Sequence, residues 1–337
     1  MKDRFLRPAA GLIIVVLAVL LLKIARPVLF PFVLAVFIAY LLDPALEFLA
    51  GKGVPKWPAL AIILGMVFLA LFGTGFLIYS GSRQFAASLA AYAPRALDLA
   101  NKAAAYFSGL LPAGGAPGAP LSLNVPQLAG RLVGWLGSFF GFFGELALVF
   151  LFVILIIAGR GRGVEKAIAA AGPGYADRIC QALGELNRQV RKYIVIKTAM
   201  SLANGLMVWI VLTLFRVDFA AVFGLLAFFL NYIPNIGSLI ATLLRVGFAY
   251  FQFGNFWVAF WVLVVTVGLD TLMGEFIEPK VMGSGLGLSP LVVIFSLVFW
   301  GWLWGIPGLL LAVPLTAVVK IACRNVPGLE PVALLLE

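Results

Sequence analysis

Asp270, Glu275 and Glu278 are carboxylates inside a strongly apolar chain, and Asp270 follows an uncharged run from Val246 to Leu269. An ionised side chain in the bilayer costs at least about 2.5–3.5 kcal/mol on insertion scales, so such groups mark ion or proton paths. Asp270 and Glu275 are therefore the predicted ion-coupling residues. Glu278 is followed by Pro279 and Lys280 and reads as a helix-end anchor at a membrane boundary. Glu275 and Glu278, three apart, are expected on one helix face. Two such carboxylates could serve as acid and base for glycoside hydrolysis, but the chain offers no soluble pocket to hold a sugar.

A second set of polar groups is uncharged. Asn231, Asn235 and Ser238 fall with Pro234 and Gly237 in the apolar stretch Phe228–Ser238. Pro234 lacks an amide hydrogen and should leave the carbonyl near Leu230 without its helical partner. A further interruption comes at Gly305 and Pro307, between Trp304 and Gly308, and continues to Pro314. In hydrocarbon, irregular backbone survives only inside protein or beside a wet cavity. Two Gly/Pro-interrupted apolar segments point to a transporter's substrate site. Asn231, Pro234, Asn235, Gly237, Ser238, Gly305 and Pro307 are thus the expected solute path, offering neutral donors and acceptors to a small polar solute. The competing reading is a packing kink whose asparagines bond to neighbouring helices.

Other chemistries are excluded by what the chain lacks. It has no histidine, and Cys180 and Cys323 are too far apart for a CxxC. No Walker A, GxSxG or HExxH pattern occurs, so no enzyme activity, cofactor or metal is expected. Gly283-Ser284-Gly285-Leu286-Gly287 follows Glu-Pro rather than a strand and reads as a tight membrane re-entry turn.

The elements that must position these groups are apolar. Of 337 residues, 63% are hydrophobic and 11% charged, far from the composition of a soluble domain. Charge-free windows of span length run over Trp57–Ser82, Thr198–Phe215, Phe219–Leu244 and Val246–Leu269. Val281–Val319 is too long for one span unless it folds back. Leu132–Gly159 is interrupted only by Glu145, and Pro8–Leu42 holds two shorter runs split by Lys23, Arg26 and Pro27. The first run is taken as a retained helix rather than a cleaved signal peptide. The expectation is an all-α polytopic membrane protein, one transporter domain over 1–337, with about eight hydrophobic segments, two of them interrupted and possible re-entrant hairpins.

Segment 159–197 carries eight Lys/Arg against three acids and should be cytoplasmic. Counting back over spans at 132–158, 57–82, 27–42 and 8–22 puts 83–131 outside and the N-terminus in the cytoplasm, as Lys2, Arg4 and Arg7 also favour. The net charge of +10 is read as topology control and contact with anionic lipid, not as a nucleic-acid surface. Two stretches, 83–110 and 176–194, show an apolar stripe at helical spacing, the second through Ile179, Leu183, Leu186, Val190 and Tyr193. Each is read as a membrane-surface helix or as a contact between subunits.

Asn231-Tyr232-Ile233-Pro234-Asn235-Ile236-Gly237-Ser238, Glu278-Pro279-Lys280-Val281-Met282-Gly283 through Gly287 to Pro290, Phe299-Trp300-Gly301-Trp302-Leu303-Trp304-Gly305 and Leu311-Ala312-Val313-Pro314-Leu315 together resemble the autoinducer-2 exporter (AI-2E) family of bacterial membrane transporters. The resemblance covers nearly the whole chain. It implies an inner-membrane homo-oligomer, with Glu278, Pro279, Gly283, Gly287 and Pro290 as structural motif residues. Some members are linked to export of the furanone signal autoinducer-2 and others to sodium/proton antiport. An exporter, an antiporter in which Asp270 and Glu275 exchange protons for Na⁺ or Li⁺, and a non-transporting oligomeric scaffold are the three readings this leaves. The chain departs from the family pattern at Leu244-Arg245, where a Pro-Pro pair is expected, and at Glu275, where asparagine is usual. The new arginine and the new carboxylate are expected to pair with each other or to alter what is carried.

Overall fold

The computed structural model describes residues 13, 16–76, 80, 147–159, 173–283, 286–325, 328 and 330–336. The stripe over 83–110, the extracytoplasmic assignment of 83–131 and Glu145 lie outside the described residues, as do 160–172 of the basic segment. Among the described residues there is no strand. Six helices are long and apolar enough to cross a membrane: Arg26–Gly51, Lys56–Phe76, Asn187–Leu214, Ile236–Phe253, Phe256–Met282 and Ile306–Arg324. Ala147–Gly159, Ala220–Leu230 and Pro290–Trp304 are shorter apolar helices. Phe295, Val298 and Trp257 are each about two-thirds exposed, large apolar side chains of the kind that a membrane or another protein surface covers. The all-α polytopic membrane architecture expected from the sequence is the one observed.

The chain forms two compact units. The first comprises Met1–Gly65, Gly144–Ala199 and Glu278–Glu337; the second comprises Met66–Phe143 and Met200–Ile277.

In the first unit, residues 16–24 are helical and lead through Ala25 into Arg26–Gly51. Helical bonds run across the junction, Ala25 N to Leu21 O at 2.8 Å and Leu29 N to Ala25 O at 2.8 Å. Pro27 falls in the first turn of the longer helix, where its missing amide hydrogen costs nothing. The chain therefore does not turn back at Lys23–Pro27, and the two runs are not two antiparallel spans. That removes one crossing from the count that carried the N-terminus to the cytoplasm. Val281–Val319 does fold back: Pro290–Trp304 and Ile306–Asn325 pack as a helical hairpin. Pro314 does not extend the interruption, since the helix continues through it. Leu297, Leu303, Trp304, Ala312 and Ala317 of these two helices are buried.

The helix Pro173–Leu214 is continuous, 42 residues or about 63 Å at 1.5 Å per residue, roughly twice the hydrocarbon thickness. The amphipathic stretch 176–194 is thus the extension of a span. At its C-terminal end Val190 and Tyr193 are buried within the chain itself. Arg191 reaches Glu47 at 2.8 Å, so part of the basic segment is tied to the helix Arg26–Gly51.

In the second unit, Ala220–Leu230 packs on Ile236–Phe253, which packs on Phe256–Thr271. Val208, Leu212, Val217, Ala227, Ala249 and Val262 make the core. Gly205 and Gly224 are pressed backbone to backbone: a Cβ at either would lie 2.7 Å from the other's carbonyl oxygen. The span boundary expected at Arg245 is instead at Gly254–Asn255. There Gly254 takes φ +62° and the Asn255 side chain accepts from Trp257 N at 2.9 Å. Arg245 sits mid-helix because its charge is neutralised inside the unit.

Candidate functional site

The first interruption is a tight local structure. After Leu230 the chain closes with Tyr232 N to Phe229 O at 3.2 Å and Ile233 N to Leu230 O at 2.9 Å. The Leu230 carbonyl is therefore satisfied by Ile233, not orphaned as Pro234 alone suggested. Ile236 N then bonds Pro234 O at 2.6 Å across Asn235, which holds φ +58° and ψ −51°. That is the geometry of a γ-turn of the rare, strained hand. A non-glycine residue so placed costs of order 1–3 kcal/mol, and such strain gathers at functional sites. Asn235 is exposed and makes no side-chain cap bond, while Ser238 Oγ donates back to its carbonyl at 3.1 Å. Asn231 behaves differently: its Nδ2 donates to the buried Ser201 Oγ at 2.9 Å. Gly237 is buried against Leu230, where a Cβ would collide with the carbonyl oxygen.

The second interruption, in the first unit, is made by Gly305, at φ +74° and ψ −149°, a conformation open essentially to glycine alone. Gly308 lies against the Trp300 carbonyl as Gly237 lies against that of Leu230. Pro307 is in the first turn of its helix and breaks nothing. Lys23 Nζ lies 4.6 Å from the Trp302 ring centre, and Trp304 Nε1 donates to Leu22 O at 3.3 Å. Lys23, which the sequence sets between two apolar runs, is thus held on the face of an aromatic ring.

The carboxylates separate. Asp270 forms an ion pair with Arg245, which is only 1% exposed. Thr242 Oγ1 donates to Asp270 Oδ2 at 3.2 Å, and Asn204 Nδ2 donates to Asp270 Oδ1 at 3.2 Å. Arg245 does not pair with Glu275. Residues 272–277 form a π-helical turn, and Glu275 on it is exposed. Glu278 is instead half-buried, with Lys197 Nζ at 2.7 and 3.0 Å from its two oxygens. Lys280 is not its partner. The wider turn changes the helical phase, so spacing of three no longer puts Glu275 and Glu278 on one face. Pro279 is exposed; Gly283 and Gly287 take φ +68° and +62° around the turn; Lys320 Nζ donates to Gly287 O at 2.6 Å. Pro290 opens a helix behind the Ser289 cap. No cluster of three or more metal-ligating side chains occurs among the described residues.

Several of these partners escaped the sequence reading. Lys197, Ser201 and Asn204 lie on one face of the span Asn187–Leu214, at steps of four and three. Each meets one group already singled out: Glu278, Asn231 and Asp270 in turn. Part of the signal was present, since Ser201 and Asn204, three apart in the apolar window Thr198–Phe215, must point into protein, whereas Lys197 stands at its edge.

Apolar helices of span length, two glycine-closed interruptions and charges paired within apolar segments are the features of a multi-pass α-helical membrane protein. The chain belongs to the AI-2E transporter family, whose family model, "AI-2E family transporter", matches residues 12–328. It is 33% identical over 344 residues to the AI-2 transport protein TqsA of Escherichia coli, covering 97% of this chain and 94% of that one. It is 32% identical over 338 residues to a transport protein of Haemophilus influenzae, covering 98% and 96%. The transport protein YhhT of Escherichia coli is 40% identical over 147 residues, 44% of this chain and 42% of its own.

Proposed function

We propose that this chain is a secondary transporter of the bacterial inner membrane that exports a small polar solute of the autoinducer-2 kind. It works as a homo-oligomer, moving its interrupted-helix elements against a fixed scaffold. The relative TqsA, named for AI-2 transport, supports the solute class. The observation that carries the reading is Asn235, a polar side chain held exposed on a strained γ-turn between two apolar helices. Ser238, Gly237 and Pro234 shape that turn, and Gly305 makes its counterpart in the first unit, with Pro307 in the helix that follows. Flux of labelled solute from reconstituted vesicles tests it. Asn235→Ala should lose flux while melting temperature and oligomer size stay unchanged. Asn231→Ala should lose about 1 kcal/mol of stability, as for a membrane hydrogen bond. Full flux in Asn235→Ala would remove the turn from the path.

Asp270 is the carboxylate we assign to coupling, in preference to Glu275, because a change in its protonation breaks an ion pair inside the unit. Asp270→Asn should flatten the pH profile of transport in folded protein, and Glu275→Gln should leave it intact. The reverse pattern would move coupling to Glu275.

Segment 159–197 is assigned to the cytoplasm on its basic residues. A cysteine placed at Gly163 should be protected from an impermeant maleimide in intact cells, and one at Gly114 should be labelled. Labelling at Gly163 with protection at Gly114 would invert the topology.

A further inference from the structure

Residues 279–329 contain Lys280, Lys320 and Arg324 and no acid, and residues 187–199 contain Arg188, Arg191, Lys192 and Lys197 and none either. Within the first unit these two basic stretches meet at the turn between the helices Glu278–Met282 and Pro290–Trp304. Lys197 is engaged there by Glu278, and Arg191 by Glu47. Two other ammonium groups border the turn itself. A Cβ at Gly283 would lie 3.5 Å from Lys192 Nζ, and one at Gly287 would lie 2.9 Å from Lys320 Nζ. Lys320 is buried and fixed by its bond to Gly287 O, while Lys192 is exposed. Both glycines have positive φ, and each leaves bare the side of the turn that faces an ammonium.

Two features of the surroundings set the chemistry of a partner. Lys192 lies near the charged start of the span Asn187–Leu214, at the depth of lipid headgroups. From the turn runs an apolar wall, in which Leu291, Ile294, Phe295 and Val298 follow at helical steps and are each more than half exposed. Positive charge above an exposed apolar face is the complement of an anionic phospholipid, negative at one end and hydrocarbon at the other. A second copy of this chain, with its net charge of +10, brings the wrong sign to this surface.

We infer that Lys192 and Lys320, at the two ends of the Gly283–Gly287 turn, hold the headgroup of an anionic phospholipid whose acyl chains lie along Leu291, Phe295 and Val298. Lysine acts here as a point charge on phosphate, without the fixed fork geometry of arginine.

The test uses the full chain in a neutral detergent, with dioleoylphosphatidylglycerol or dioleoylphosphatidylcholine added at equal mole fraction. Melting temperature and the mass of bound lipid are read together. A ligand that binds only the folded state raises the melting temperature with its concentration. Phosphatidylglycerol should raise it saturably and stay bound, and phosphatidylcholine should do neither. Glycerophosphoglycerol, the same headgroup without acyl chains, should have no effect at that concentration. Lys192→Gln should melt like wild type without lipid and need about fivefold more phosphatidylglycerol for half the shift, the worth of one lysine at an anionic surface. Lys192→Arg should bind as wild type does, and so should Lys52→Gln, which removes an exposed lysine elsewhere in the same unit. Lys320→Gln should weaken binding at least as much as Lys192→Gln. Leu291→Asn, at an exposed position, keeps the test open if Lys320→Gln does not fold, and it too should weaken binding. The inference is overturned by an equal response to the two lipids, by an unchanged titration in Lys192→Gln, or by equal weakening in Lys52→Gln. A full response to glycerophosphoglycerol overturns it as well, since the ligand would be a free anion. So does a changed oligomer mass in Lys192→Gln with lipid binding intact, which would make the face a contact between subunits. Neither the solute nor the turn at Asn235 enters this experiment, so it can fail independently of the transport reading.

Discussion

Lys197→Met is expected to destabilise the protein by about 3–5 kcal/mol, the cost of breaking a buried ion pair by removing one partner. Lys197 is 6% exposed, and its ammonium contacts both oxygens of Glu278. Its loss leaves a carboxylate that is largely shielded from water and has no counter-charge at that distance. Lys197→Met/Glu278→Leu should recover most of the loss, because replacing the whole pair by apolar groups removes the desolvation cost along with the attraction. The measurement is a reversible unfolding titration on both variants. A Lys197→Met protein as stable as wild type would show that the pair contributes nothing. Glu278 would then return to the helix-end role suggested by Pro279 and Lys280.

Gly237→Ala should have the second large effect. The new methyl group would meet the Leu230 carbonyl oxygen, a backbone atom that already accepts from Ile233 N. Backbone cannot rotate aside as a side chain can, so the helices Ala220–Leu230 and Ile236–Phe253 must part. Overpacking of this kind costs about 1–3 kcal/mol, occasionally more. Gly247→Ala, in the same helix, is the matched control, since a Cβ there meets nothing within 4 Å. It should be neutral or stabilising by up to about 1 kcal/mol, the helix-propensity gap between glycine and alanine. Equal melting temperatures for the two variants would mean that the hairpin does not depend on its closest backbone approach.

Both experiments probe features that the sequence marked and the tertiary structure specified. Apolar windows, the two interruptions and the fold-back of Val281–Val319 were legible in the chain because each follows from local physics. Hydrocarbon has a fixed thickness, and proline or glycine alters the helix where it stands. The glycine turns at Gly254, Gly283 and Gly287 belong to the same class of local event.

Span boundaries were less legible wherever charge was used as the marker. Arg245 was expected at an interface, and Lys23 with Arg26 in a loop, because an isolated charge has to reach water. Neither is isolated. Arg245 meets Asp270 and Lys23 meets the ring of Trp302, so both can stay within helical segments.

What the sequence by itself determined, then, is that this is a membrane protein of many helices, where those helices are interrupted, and which residues are costly enough to need a reason. What only the tertiary structure decided is the partner of each costly residue. Arg245 takes Asp270 rather than Glu275, Glu278 takes Lys197 rather than Lys280, and Asn231 turns to Ser201 while Asn235 faces outward. Spacing along one helix sets which residues share its face, and the π turn at 272–277 alters even that. Which other helix lies against that face is a long-range property of packing, and in a low-dielectric interior it is the neighbouring charge that determines whether a buried group can exist at all.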